Sequence, residues 1–119
     1  MINKRAVGDD IEQECTRYLM NNGVRNIVRN YRCRQGEIDI IGQDGEYLVF
    51  FEVKYRTSEM SGFAESAVGY GKQRQICKVS DYYRYEKRIS EDTPMRYDVL
   101  AVNGKQFMWY KNAFEYISR

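Results

Sequence analysis

The chain has 119 residues, 43% hydrophobic and 30% charged, with a formal net charge of +2, no histidine and three cysteines. That length supports one core, and the absence of low-complexity runs, repeats or linker composition excludes a disordered tract, so residues 1–119 read as a single ordered domain. Without histidine, Ser-His and Cys-His nucleophilic schemes are excluded, and acid-base work falls to carboxylates, lysine, tyrosine or metal-bound water.

Cys15, Cys33 and Cys77 are odd in number and widely spaced with no CxxC pair, which argues against a disulfide framework and structural zinc. Met1 to Val7 has no apolar h-region, and no window approaches the roughly 18 apolar residues of a membrane span. The sequence therefore predicts a cytoplasmic protein with no membrane partner.

Taken in chain order, Asp9 or Asp10 can cap a first helix over residues 9–22, with Ile11, Cys15, Tyr18 and Leu19 at helical spacing and Gly23 as its stop. Val24 to Tyr31 is short and β-branched, a first strand leading into the turn Arg32-Cys33-Arg34-Gln35-Gly36. Strands over 37–43 and 46–55 follow, joined by Asp44-Gly45, a favoured hairpin dipeptide. After a polar loop over 56–62, Phe63 to Lys87 reads as helix broken near Gly69 and Gly71, with Ile76, Val79 and Tyr83 inward. A strand from Met95 to Val102, the turn Asn103-Gly104 and a returning strand from Phe107 to Tyr110 complete the order α-β-β-β-α-β-β, a small mixed sheet with helices packed on it.

The informative stretch is Gly36-Glu37-Ile38-Asp39-Ile40-Ile41 followed by Phe50-Phe51-Glu52-Val53-Lys54, which places charged groups inside two strongly apolar strands. Buried charges must be paired, ligated or neutralised. Counting back from an Asp44-Gly45 loop sets Asp39 opposite Phe50 and Glu37 opposite Glu52. Strict alternation then puts Glu37, Asp39, Phe50, Glu52 and Lys54 on one face and Ile38, Ile40, Phe51, Val53 and Tyr55 on the other. Asp39 and Glu52 become diagonal neighbours about 7–8 Å apart at the backbone, within reach of one ion. Oxygen-only ligands select Mg²⁺ or Mn²⁺, and such an ion beside a lysine is the equipment of phosphodiester hydrolysis. The plainer alternative is the wet face of a hairpin.

Arg25, Arg29, Arg32 and Arg34 crowd one segment, and Lys72, Arg74, Lys78, Arg84, Lys87 and Arg88 another. With eleven tyrosines these clusters suit a polyanion, although the pI of about 8.4 is modest for a DNA-coating domain. Each cluster also reads as a solvated face.

Together, Gly36-Glu37-Ile38-Asp39-Ile40-Ile41, Val49-Phe50-Phe51-Glu52-Val53-Lys54-Tyr55-Arg56, Lys72-Gln73-Arg74, Arg96-Tyr97-Asp98-Val99 and Asn112-Ala113-Phe114 resemble the YraN family over nearly the whole chain. That family is similar to archaeal Holliday-junction resolvases and to the PD-(D/E)XK restriction-endonuclease-like fold, so the resemblance implies a restriction-endonuclease-like α/β fold. It also implies a DNA nuclease site in which Asp39 and Glu52 hold Mg²⁺, Lys54 positions or activates the attacking water, and a helix-borne acid, matched at Glu12 with Glu14 nearby, completes the shell. Ile11 and Cys15 stand where the family more often has glycine and alanine.

Lys72-Gln73-Arg74, behind a glycine at the start of the second long helix, is placed to grip backbone phosphate or to be a solvated first turn. Arg32, Arg34 and Arg56 flank the acidic strands and are further phosphate candidates. Asp98 reads as a structural acid paired with Arg96, and Trp109 and the tyrosines read as core and sheet-packing residues. The leading expectation is a Mg²⁺-dependent endonuclease acting on DNA, branched forms included, with a symmetric dimer supplying the two sites that cutting both strands of a junction needs. A binding module with weak or no catalysis, and a protein-interaction domain using the acidic face, stand beside it.

Overall fold

Apolar runs punctuated by glycine turns fold into α1 Lys4–Asn21, β1 Arg25–Cys33, β2 Gly36–Asp44, β3 Tyr47–Tyr55, α2 Tyr70–Glu86, β4 Met95–Asn103 and β5 Gln106–Phe114, the predicted order. This is a computed structural model and describes residues 4–55 and 68–118. The expected polar loop over 56–62 and the helical start at 63–67 lie outside the described residues. The first helix begins earlier than predicted, because Gly8 lowers helix propensity without breaking the helix, so Asp9 and Asp10 are interior rather than capping positions. Gly23 ends it as expected: at φ +94 it takes the left-handed conformation, and the Val24 N–H returns to the Leu19 carbonyl at 3.0 Å. Arg32 and Cys33 continue β1 rather than turning.

The five strands lie in chain order. Three form an antiparallel meander, β4 joins β3 in parallel through α2, and β5 returns antiparallel. Each sheet face buries its own cluster. On the α2 side Ile38, Ile41, Phe50, Tyr97 and Val99 meet Ile76, Val79 and Tyr83, with Phe50 stacked on Tyr97 at 5.6 Å between centroids. On the α1 side Ile40, Val49, Phe51, Leu100 and Val102 meet Cys15 and Leu19. Fully burying each such side chain contributes roughly 1.5–3 kcal/mol, which makes these two layers the main support of the strand framework.

Two features of β2 differ from the predicted ladder. Asp44 pairs with Tyr47, so the two-residue loop is Gly45-Glu46 and the register moves by two, with Gly45 at φ +61 in the first loop position. Asp44 stays in the strand because its carboxylate is held by Arg96 at 2.9 Å and Lys111 at 3.4 Å. Continuing from Ile40 opposite Phe51, Asp39 falls opposite Glu52 rather than Phe50, and Glu37 does not face Glu52 but Arg32, which it binds at 3.1 Å.

Strict alternation also fails. Ile38 joins Ile41 on the α2 face while Ile40 is on the α1 face, and across the strand pair Val28 and Tyr31 likewise share the α2 side. Both strands slip face together at Asp39 and its opposite number Asn30, which adopts φ +54, a conformation asparagine tolerates better than most residues.

Asp98 is fully buried and is the structural acid expected. Arg96 grips it with two nitrogens at 3.2 and 2.8 Å, and Trp109 Nε1 and the Asn112 N–H donate to it at 2.8 Å each. The tyrosines divide: Tyr83 and Tyr97 are core, but Tyr70, Tyr82 and Tyr85 of α2 are exposed, contrary to a purely packing role. Among the described residues no helix is long and apolar enough to cross a membrane.

Candidate functional site

The β2–β3 ladder runs from Asp44–Tyr47 to Ile40–Phe51, and the acids lie just beyond that end. There the Asp39 carboxylate reaches across to β3, where Oδ2 accepts the Val53 N–H at 2.9 Å, a side chain replacing a strand-to-strand bond. Glu52 follows Phe51 on β3 and is only 7% exposed, an extreme position for a carboxylate. Lys54 Nζ lies 3.8 Å and Lys72 Nζ 3.9 Å from Glu52 Oε2, so one lysine comes from the strand and a second from the first turn of α2.

These two cations do not hold Glu52 in its ordinary ionised state. Burial, and then the hydrogen bond and negative charge of Asp39, push its carboxyl up to about 8, with the lysines opposing.

Glu12 approaches from α1. Of the two acids in this part of the helix, Glu14 is exposed, whereas Glu12 is half-buried and lies 3.6 Å from Arg29 of β1. Glu12 Oε1 is nevertheless buried with no hydrogen-bond partner, as is Arg29 Nε. Glu12 and Asp39 surround Cys15, whose thiol is pushed up to about 12 by its own burial and then by these two acids. Among the described residues no three acidic or cysteine side chains are grouped closely enough to form a ready-made ion cage. Asp39 and Glu52 are neighbours, and Glu12 is engaged by Arg29.

An oxygen-donor cation fits what is present. The Glu52 carboxyl is raised by burial and by Asp39 despite two nearby lysines, the buried Glu12 Oε1 has an ion pair with Arg29 but no hydrogen bond, and all these donors are hard oxygens. Asp39 and Glu52 would hold a Mg²⁺ or Mn²⁺ ion, with Glu12 contributing once Arg29 releases it.

The remaining predicted residues divide. Gln73 is engaged internally, its amide donating to the Val68 carbonyl at 2.8 Å. Arg74 lies over the Tyr70 ring at 6.0 Å. Lys72 and Arg74 line one groove with Gln35, Gly71, Gln75 and Lys78. Arg34 is exposed in the β1–β2 turn beside Gln35, Arg32 is spent on Glu37, and Arg56 lies outside the described residues.

Gly36 is what lets this turn sit under α2. At φ +143 it occupies a region few side chains adopt, and a Cβ there would come within 2.6 Å of Gln75 Nε2. Sequence reasoning missed the contacts of Lys72 and Arg29 with the acids. Lys72 was recoverable from topology, since a helix returning the chain to a parallel strand starts near the carboxyl end of the strand it leaves.

Sheet order, neighbouring acids on adjacent strands and two lysines together define a small α/β domain with a partly buried acidic cluster at the end of the β2–β3 ladder. The uncharacterised protein family UPF0102 matches residues 11–102. Relatives described as UPF0102 proteins include one from Lachnoclostridium phytofermentans, 44% identical over 114 residues, covering 96% of this chain and 97% of the relative. One from Legionella pneumophila is 39% identical over 110 residues (91% and 93%), and one from Aeromonas hydrophila is 42% identical over 108 residues (90% and 83%). The chain belongs to the UPF0102 family.

Proposed function

We propose that this protein is a Mg²⁺- or Mn²⁺-dependent endonuclease that hydrolyses DNA phosphodiester bonds, branched DNA among its substrates. The observation that carries the reading is the neighbouring Asp39 and Glu52 at the end of the β2–β3 ladder, Glu52 buried and Asp39 half-buried, with Lys54 3.8 Å from Glu52. Burying the Glu52 carboxyl beside a second acid costs stability, and a site that requires it in the presence of a cation accounts for that cost.

A bound ion of this kind supplies Lewis-acid polarisation of the phosphate and a more acidic water. Asp39 is fixed by the Val53 N–H, so its free oxygen has a set direction. Glu52 would offer its carboxylate to such an ion. Lys54, half-buried on the strand, places an ammonium where the attacked phosphate gathers negative charge and where it can orient the attacking water. Lys72, 3.9 Å from Glu52, would hold an adjacent phosphate oxygen. A symmetric dimer would supply the two centres needed to cut both strands of a junction.

A second reading is a nucleic-acid-binding module with weak or no cleavage. It is favoured by the absence, among the described residues, of three grouped metal-ligating side chains, and by the two lysines already lying against Glu52. A cleavage assay on labelled single-stranded, duplex, flap and four-way-junction DNA with Mg²⁺, Mn²⁺ or EDTA decides between them. The nuclease reading expects metal-dependent cutting that Asp39→Ala and Lys54→Ala abolish. No cutting at any metal concentration, with wild type and both variants binding DNA alike, overturns it in favour of the module.

A further inference from the structure

The outward side of α2 is unlike an ordinary solvated helix face. At about 100° per residue, Tyr70, Arg74, Lys78, Tyr82 and Tyr85 fall within about 120° of the helix circumference and run about 22 Å along it. The tyrosines are 63%, 40% and 81% exposed at 70, 82 and 85, against buried Tyr83 on the opposite side of the same helix. Three aromatic side chains with this much open surface along a 17-residue helix are more than packing within the fold requires.

Cations interleave with the rings. Arg74 lies over Tyr70, and Lys78 is exposed one turn further along. From Lys72 to Arg88 the chain carries Lys72, Arg74, Lys78, Arg84, Lys87 and Arg88 against Asp81 and Glu86. Asp81, which lies on the same arc, accepts the Tyr116 hydroxyl, and Glu86 accepts that of Tyr31, each at 2.8 Å. The stripe also meets the acidic centre: Lys72 lines the groove shared with Arg74 and Lys78 and places its ammonium 3.9 Å from Glu52.

We propose that this stripe is a docking track for single-stranded DNA that delivers an unpaired strand to the Asp39–Glu52 centre, an inference that rests on the nuclease reading of that centre. Exposed rings interleaved with cations suit a strand whose bases offer open faces for stacking and whose phosphates recur alongside. A duplex hides its base faces in its own stack, so it would use the cations and leave the tyrosines idle. The track thus makes the unpaired arm, rather than the paired stem, the part of a branched molecule that is held.

Fluorescence anisotropy of the full chain with labelled oligothymidylate, a duplex of equal length and the equivalent RNA strand, in EDTA at low and high salt, tests this apart from catalysis. Single-stranded DNA is expected to bind more tightly than duplex or RNA. Tyr70→Ala and Tyr85→Ala should each weaken it about 5- to 10-fold, Tyr85→Phe should restore it, and neither should alter duplex binding. Arg74→Gln with Lys78→Gln should weaken both forms and reduce the salt slope by about 0.7 per lost contact on the single strand. Tyr70, Lys78 and Tyr85 are exposed, so the melting temperature should hold in their single variants.

Equal or tighter binding of duplex or RNA, tyrosine variants indistinguishable from wild type, or no binding of single-stranded DNA each overturns the track. Tyrosine-dependent binding retained in Asp39→Asn, with no cleavage in any metal, would remove the nuclease and leave the track standing. Metal-dependent cleavage untouched by the tyrosine variants would do the reverse.

Discussion

Glu52→Gln should make the metal-free protein more stable, increasingly so as pH rises. The native carboxyl is raised from 4.5 to about 8, by burial first and Asp39 second. Below pH 4.5 both native and unfolded chains hold the proton and the shift has no effect on stability. Between 4.5 and 8 the unfolded chain ionises while the native one keeps its proton, so native stability falls by about 1.4 kcal/mol per pH unit, reaching about 4 kcal/mol at pH 8. At 7% exposure solvent screens little of this, although losing the Lys54 and Lys72 contacts returns part of it.

A net gain of about 2–3 kcal/mol at pH 8, roughly 10 °C in melting temperature for a domain of this size, is the expected outcome, shrinking to near zero at pH 4.5. Thermal unfolding followed by circular dichroism in EDTA across that range measures it. Added Mg²⁺ should raise the melting temperature of wild type and not of the variant. A variant no more stable than wild type at pH 8, or a difference that does not grow with pH, would refute the description of Glu52 as a carboxyl confined against Asp39.

Asp98→Ala removes the acceptor of Trp109 Nε1 and the Asn112 N–H and leaves Arg96 paired with Asp44, and should cost about 3 kcal/mol in chemical denaturation. Gly36→Ala must carry a side chain at φ +143 against Gln75 and should lose about 1–2 kcal/mol in the same assay. With the metal-dependent cleavage of Proposed function in hand, Lys54→Ala should reduce single-turnover cleavage by about 10²-fold with little change in stability. Cys15, buried and pushed up to about 12, and Cys77, also buried with its thiol raised, should resist iodoacetamide at pH 8 while half-buried Cys33 is alkylated. Mass spectrometry of native and denatured protein reads this directly, since all three should react once unfolded.

The strands, their order and the pairing of Asp98 with Arg96 were legible because apolar runs, glycine turns and a lone acid in a hydrophobic strand are local signals. The closeness of Asp39 and Glu52 was legible too, though through the wrong register. The hairpin was assigned to Asp44-Gly45, whereas Asp44 is kept in the strand by Arg96 and Lys111, residues far along the chain whose pull no local pattern shows. An even shift preserves parity across the pair, so the two acids moved from diagonal to opposite and stayed neighbours. Alternation within β2 failed at Asp39 because it slips in concert with Asn30 on β1, a property of two strands together. The exposure of Tyr70 and Tyr85 was invisible for a simpler reason: an aromatic residue at helical spacing gives no sign of which way the helix will be turned.

The left-handed asparagines bear on how copies of this molecule meet. Asn26 and Asn30 lie on β1 and Asn112 on β5, each at φ +54, and β1 and β5 are the two margins of the sheet. Residues in that conformation interrupt the straight row of amides and carbonyls on which another strand could grow, as the register breaks near Asn26 and opposite Asp98 attest. Neither margin offers an unbroken template, so the sheet resists running on from one molecule into the next. The fold is guarded against fibrous growth on both flanks, and any self-association must be made by helices, turns or side-chain surfaces instead.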